Sequence, residues 1–241
     1  MEIKLIRMIM LASLMLLFFV LQSCVHMQGN KPDKLCALTF DDGPSADPEL
    51  TSLVLDKLDK YNVKATFFVV GQNLNASTKP VIDRMVKAGH ETGNHSWSYD
   101  DMAKMPFNEI KKSITDTTEA IKKYTGKVPV FFRPPNLSTS TVMYKAIDLP
   151  FASGLAAGDW PNGGGDTTER IMDKLKPGIR DGVIILLHDV QPKPHPTPAA
   201  LNTLIPYLIK EGYEFVTISE LFSRKGVIPD STVENMYVYV E

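Results

Sequence analysis

The 241-residue sequence contains only 2 cysteines, Cys24 and Cys36, so a disulfide framework is not what holds this fold. No excess of either charge stands out: 26 Lys and Arg face 28 Asp and Glu, a formal net charge of −2. That balance gives no basic surface for nucleic acid, and no long charge block marks an interaction tail, so neither nucleic acid nor a protein partner is expected. Internal repeats and low-complexity segments are missing. Long apolar runs are missing too, apart from Met8 to Leu21, which is shorter than the roughly 20 residues a spanning helix needs. What is present is 44% hydrophobic content, enough for one substantial core. The length suits one large domain of the α/β-barrel kind or two small ones.

The apolar run has a direction. Lys4 and Arg7 precede it and Gln22-Ser23-Cys24 follow, the basic-then-apolar layout of a secretory signal. Leu21-Gln22-Ser23-Cys24 looks like a bacterial lipobox, whose cysteine becomes the lipidated first residue of the mature chain. A plain cleaved signal and an uncleaved anchor are the alternatives. The expectation is a lipoprotein signal over 1–23, a polar tether over 24–34 carrying Gly29, Asn30 and Pro32, and one domain over 35–241. Such a protein is anchored by lipid in the cell envelope, facing the periplasm or the exterior. If Cys24 carries lipid, Cys36 has no intrachain partner and is a small buried residue.

The domain is organised around Thr39-Phe40-Asp41-Asp42-Gly43-Pro44. It ends an apolar run, Leu35 to Leu38, that reads as a buried strand, and Gly43-Pro44 stops any regular element. Two adjacent aspartates repel unless a cation or hydrogen-bond donors receive them. Downstream, helical periodicity covers 48–62, 81–88, 106–124, 140–148, 167–176 and 197–211, with one helical turn at 218–222. Strands are expected at 65–70, 130–132, 151–157, 182–187 and 213–217, with an extra one at 236–240, while 91–94 reads as a lead-in to His95. This alternation argues a parallel α/β sheet, closed or nearly closed, with helices outside. In such barrels chemistry collects at the carboxyl ends of strands. Asp41-Asp42, His95, Arg133, Asp159 and His188 each fall at a predicted strand end.

Zinc and similar ions take a few nitrogen and oxygen ligands and keep a position open for water or substrate. Asp42 and His95 are the best candidates here. Asp41 is then the general base toward water, Arg133 its orienting partner, His188 the general acid and Asp159 the group that tunes it. Together these parts describe metal-assisted hydrolysis of an acyl bond.

From about Leu35 to Phe222 the set resembles the NodB-type polysaccharide deacetylases, carbohydrate esterase family 4. TFDDGP matches the family's first motif in full, with Asp41 as base and Asp42 as metal ligand. His95-Ser96 begins the second, whose usual form is His-Ser/Thr-x-x-His. Arg133-Pro134-Pro135 matches the third, in which the arginine contacts the base and the following backbone N–H helps stabilise the oxyanion. Asp159-Trp160 matches the fourth and Leu186-Leu187-His188 the fifth, where Leu186 lines the acetyl pocket and His188 is the acid. The resemblance implies a single-domain distorted (β/α)7-type barrel, a divalent metal, most commonly Zn2+, and an acetylated carbohydrate substrate. Pro135, Asn136, Trp160 and Leu186 are its expected substrate-binding residues.

Two positions depart from the pattern. Asn136 stands where the family has Tyr or Phe, which a backbone N–H role tolerates. Tyr99 stands where the second metal histidine is expected. On a helical turn position 99 shares a face with His95, whereas Asp100 turns away by about 100°. Neutral tyrosine is a poor ligand, and Asp100 reaches the metal only from an irregular loop; a water is the third option.

The expectation is therefore hydrolysis of acetyl groups from an N-acetylglucosamine-type glycan. O-acetyl xylan or another O-acetylated glycan is the alternative substrate. A metal-free carbohydrate-binding pseudoenzyme is the alternative of another class, raised by Tyr99 and opposed by the complete acid–base set. His90 is expected to cap a helix near Gly89, His195 to lie in a Pro-rich loop near the mouth, and Phe67, Phe68, Phe131 and Phe132 to fill the core.

Overall fold

The computed structural model describes residues 34–241. The expectations for 1–23, for Cys24 and for the tether lie outside the described residues, except that Lys34 already belongs to the first strand.

That strand, β1 (Lys34–Asp41), is the axis of the sheet and is buried along nearly its whole length. On one side it pairs in parallel with β5 (Val183–His188), from Cys36 opposite Val183 to Asp41 opposite His188. On the other side its carboxyl half pairs with β2 (Thr66–Val69) and its amino half with β6 (Tyr213–Phe215). β2 continues to β3 (Glu91–Asn94), and β4 (Leu155–Ala156) flanks β5. All these pairings are parallel, as expected of strands joined by helical crossovers.

Single bridges carry the sheet around its remaining arc. Asn94 pairs with Phe132, Phe132 with Phe151, and Ala152 with Tyr237. The segment expected as one strand over 151–157 is broken at Gly154, where φ is +149°. Its first half meets Phe132 and its second half meets β5, so one interrupted segment closes the ring. The expected strands at 130–132 and 236–240 are likewise reduced to isolated bridges. In the opposite sense, 91–94 is a full strand, although Glu-Thr-Gly-Asn has little apolar content to announce it. The architecture is the α/β barrel with distorted closure that the sequence led us to expect.

Alternation along β1 separates two clusters, as the twofold repeat of a strand requires. Cys36, Leu38 and Phe40 face outward into the larger cluster. There they meet Val54, Leu55 and Leu58 of α1 (Thr51–Tyr61) and Leu201, Leu204 and Leu208 of α6 (Thr197–Lys210). Leu35 and Ala37 join Phe68, Phe131, Ala152, Ile184 and Val216 in a second cluster, closed by Ile218, Leu221 and Phe222 of α7 (Ile218–Lys225). Asp41 is in phase with this second set, as His188 is with Ile184. The inward face is therefore apolar at one end of the barrel and ionisable at the other.

The remaining helices are α2 (Lys79–Lys87), α3 (Phe107–Thr125), α4 (Thr141–Ala146) and α5 (Thr168–Leu175). Ile110 and Ile114 of α3 pack with Phe132, Met143 and Phe151, stabilising the arc where backbone pairing is thin. The four phenylalanines expected in the core are all fully buried. His90 caps α2 as expected, through its backbone: its N–H donates to the Met85 carbonyl at 3.1 Å past the left-handed Gly89. Its Nδ1 accepts the Ala65 N–H at 3.1 Å, tying the α2–β3 corner to β2. Among the described residues no helix is long and apolar enough to cross a membrane.

Candidate active site

At the carboxyl end of the strands lies a cleft of about 360 Å³, lined by Asp41, Asp42, His95, Tyr99, Pro135, Asn136, Trp160, Leu186, His188 and Gln191, among others. The geometry is built outward from β1. Asp41 is the last residue of that strand and is buried. Arg133 Nη1 donates to its Oδ1 at 2.6 Å, while Oδ2 stands 3.9 Å from His95 Nε2. Arg133 itself is fully buried, lies over the Phe68 ring at 4.1 Å, and donates from Nη2 to the Ser153 carbonyl. Burial works against its charge and the Asp41 carboxylate works for it.

Asp42 follows with φ of 81°, a left-handed conformation unusual for a non-glycine residue. The turn turns Asp42 into the cleft beside Asp41, where alternation along a continuing strand would send it outward. Gly43 then approaches Asp189 so closely that a Cβ would sit 2.1 Å from its Oδ2. Only glycine fits there. The buried Asp189 carboxyl accepts the Gly43 N–H at 3.1 Å and the Thr51 hydroxyl at 2.5 Å, anchoring the loop. Burial pushes its pKa up to about 7 despite the Thr51 bond, with the Asp42 charge adding to the rise.

His95 leaves β3 through a turn in which Ser96 has φ of 68° and its N–H is received by the Asn94 side chain at 2.9 Å. The imidazole Nδ1 lies 2.8 Å from the Arg133 carbonyl. A carbonyl can only accept, so Nδ1 carries the proton and Nε2 keeps its lone pair. Nε2 points at Asp42 Oδ1, 3.5 Å away. Two donors sharing a tetrahedral ion at bonds of about 2.1 Å stand about 3.4 Å apart, so this pair fits a zinc-sized divalent cation. Burial disfavours a charged His95, yet Asp41 and Asp42 outweigh it and raise its pKa, and a field that favours a proton there also favours a metal ion.

The acid side is equally tied. His188 Nδ1 is 2.8 Å from Asp159 Oδ1, and the His188 backbone N–H donates to Asp159 Oδ2 at 2.9 Å. The Thr197 hydroxyl at the start of α6 donates to the same oxygen. Burial works against the imidazolium, but the Asp159 bond and charge, with Asp41 and Asp42 nearby, raise His188 to about 9. Trp160 stands edge-on to this ring at 5.5 Å and is 39% exposed, forming the outer wall. Asn136 takes φ of 56°, and Leu186 lines the floor.

Of the residues singled out from sequence, Asp41, Asp42, His95, Pro135, Asn136, Trp160, Leu186 and His188 line one cleft, with Arg133 and Asp159 directly behind it. The two candidates for the third metal position separate. Tyr99 lines the cleft but donates its hydroxyl proton to the Asp42 carbonyl at 2.9 Å. Asp100 is exposed and accepts from Ser98 Oγ, away from the cleft lining. Among the described residues no group of three or more His, Cys, Asp or Glu side chains is placed to hold a metal. His195 lines a different hollow, with Glu49 and Lys193.

Four contributors escaped the sequence reading: Asn73, Asp189, Gln191 and Thr197. Asp189 had a signal, as a second polar residue after His188 at the end of an apolar run. Gln191, whose Nε2 donates to Asp42 Oδ2 at 3.0 Å, had none.

A parallel barrel whose strand ends bring Asp41, Asp42, His95 and His188 to one cleft has the layout of a hydrolase-type site. The family profile described as polysaccharide deacetylase matches residues 28–151, and the chain belongs to the polysaccharide deacetylase family. It is 48% identical over 197 residues to a bifunctional xylanase/deacetylase of Pseudobutyrivibrio xylanivorans, covering 82% of this chain and 32% of that protein. It therefore spans about a third of that relative's length. It is 34% identical over 199 residues to a peptidoglycan-N-acetylglucosamine deacetylase of Bacillus cereus, covering 80% of this chain and 90% of that one. A cobalt complex of a family 4 acetyl xylan esterase from Clostridium thermocellum superposes with a TM-score of 0.81 and 58% identity, covering 86% of this chain and 99% of that one. The NodB-type resemblance read from five motifs is thus borne out.

Proposed function

We propose that the protein removes acetyl groups from an acetylated polysaccharide, with O-acetylated xylan the favoured substrate. The observation that carries the hydrolytic reading is the convergence on one cleft of Asp41, held by Arg133, and His188, held by Asp159. The xylan preference is supported by the 58% identity to an acetyl xylan esterase, against 34% to the peptidoglycan-directed relative. That second relative supports N-acetylglucosamine glycans as the second reading, since the same acid can protonate an alkoxide or an amine.

Asp42 Oδ1 and His95 Nε2 are the side-chain atoms that would hold a divalent metal, with zinc the commonest choice for such a donor pair. When bound, that metal supplies Lewis-acid polarisation of the acetyl carbonyl and of water. Asp41 Oδ2 takes a proton from water, while Arg133 fixes the other carboxylate oxygen and so aims the free one. The backbone N–H of Asn136, a residue of the same cleft lining, would serve as donor to the developing oxyanion. His188, protonated through its bond to Asp159, gives its proton from Nε2 to the leaving oxygen or nitrogen. Leu186 and Trp160 bound the space for the acetyl methyl and the sugar.

The test is acetate release from a panel of O-acetylated xylo-oligosaccharides and N-acetylglucosamine oligomers, with and without added zinc. Faster release from the xylo-oligosaccharides is the expected result. Release from the N-acetylated set alone would transfer the assignment to the second reading.

We also propose that the chain reaches the cell envelope as a lipoprotein through Cys24, on the strength of Lys4, Arg7, the apolar run and the lipobox-like residues. A Cys24→Ala variant should lose membrane association and label from a fatty-acid precursor; retention of both would remove the proposal.

A further inference from the structure

Position 99 carries a tyrosine whose hydroxyl is already engaged. Its proton goes to the Asp42 carbonyl at 2.9 Å, and Asn73 Nδ2 donates to the same oxygen at 2.9 Å. A carbonyl oxygen has two lone pairs, and both are used here. Gln191 Nε2 holds Asp42 Oδ2 at 3.0 Å, which leaves Oδ1 as the carboxylate oxygen facing His95 Nε2 at 3.5 Å. Asn73 comes from the turn after β2, Tyr99 from the loop after β3, and Gln191 from the loop after β5. Three loops thus converge on a residue whose φ of 81° its own side chain disfavours.

We propose that Asn73, Tyr99 and Gln191 form a clasp that fixes Asp42 as a metal ligand, so that position 99 acts through Asp42 and not as a ligand itself. This rests on the reading of Asp42 and His95 as the cation-binding pair. The clasp does two separable things. Asn73 and Tyr99 lock the peptide in the left-handed turn that brings the carboxylate into the cleft, and Gln191 chooses which oxygen faces the cation. A carboxylate that would otherwise be free to rotate is oriented in advance. The three are positioning residues; none is required to touch the reacting atoms.

The test measures zinc and cobalt dissociation constants of the protein by competition with a chromogenic chelator, for the parent, Tyr99→Phe and Gln191→Leu. The visible spectrum of the cobalt form and the melting of the metal-free protein are recorded alongside. Both variants should bind roughly 10- to 100-fold more weakly, the range for loss of a partner that orients a ligand. Metal-free melting should be unchanged, which separates positioning from a general structural role. The parent cobalt spectrum should lack a phenolate-to-metal band. A dissociation constant within twofold of the parent in either variant overturns the clasp, as does a phenolate band that Tyr99→Phe abolishes. A parent that binds neither ion overturns the cation-site reading beneath it, which is a different outcome from a parent that binds and variants that match it.

Discussion

The two sides of the barrel are built differently. On one side β1 and β5 run in unbroken register, and Asp41 and His188 are direct neighbours across that ladder. On the other side the sheet is reduced to single bridges at Phe132, Phe151 and Ala152, and side chains do the joining. Arg133 is the main one, donating to Asp41 across the barrel and to the Ser153 carbonyl beside it. The continuous side sets the spacing of Asp41 and His188 through the backbone register of the ladder. The broken side leads into the turn in which Asn136, with φ of 56°, lines the cleft.

This contrast is open to perturbation, with the largest effect expected at its weakest seam. Arg133→Met removes the cross-barrel tie and leaves the Asp41 carboxyl buried without its partner. Denaturant titration should show a loss of about 3–5 kcal/mol, the usual cost of breaking a buried ion pair from one side. Acetate release should vanish with it. A loss below 1 kcal/mol would mean that the broken side is held by its apolar packing and not by the arginine.

His95→Ala acts at the junction of the two sides, because its Nδ1 is bonded to the Arg133 carbonyl and its Nε2 faces Asp42. After loading with zinc and dialysis the variant should retain far less metal than the parent, read by elemental analysis, with melting changed far less than in Arg133→Met.

Asp159→Asn tests the continuous side alone. Acetate release should fall by about 10²-fold or more, as expected when a general acid is mis-tuned. Because His188 is raised to about 9, its proton persists through neutral pH and is lost as pH rises through that value; a bound divalent cation moves the limb downward. Removing the Asp159 charge lowers the pKa, so the alkaline limb of the rate profile should move to lower pH. The associated stability follows the same sign. It is present in full below the ordinary histidine value of 6.5 and disappears as pH rises through about 9, so the stability gap between parent and variant should narrow at alkaline pH.

The smallest effect belongs to the rim. Trp160→Ala should raise KM roughly fivefold, about 1 kcal/mol, with kcat little changed, since Trp160 forms the outer wall of the cleft and has no hydrogen bond to Asp41 or His188 to lose.

The same division explains what could be read from the sequence. β1, β2 and β5 are buried on both faces and announce themselves as apolar runs, so their ends, and with them Asp41, Asp42 and His188, were legible. β3 was missed as a strand because Glu91-Thr92-Gly93-Asn94 is held by its neighbours and not by its own hydrophobicity. The interruption at Gly154 was invisible for the opposite reason: 151–157 has strand-like composition, and only the need to close the ring splits it. Tyr99 was legible as a departure from a motif, but the answer lay in Asn73 and Gln191, which are distant in sequence and carry no local pattern.

The most direct test of the account is acetate release by Asp41→Asn compared with the parent at saturating zinc, with bound metal measured in the same samples. If Asp41 is the base and Asp42 the ligand, the variant should hold zinc as the parent does while its rate falls by at least about 10²-fold. A variant that loses its metal, or one that keeps near-parental rates, would contradict the division of labour between the two aspartates on which the mechanism stands.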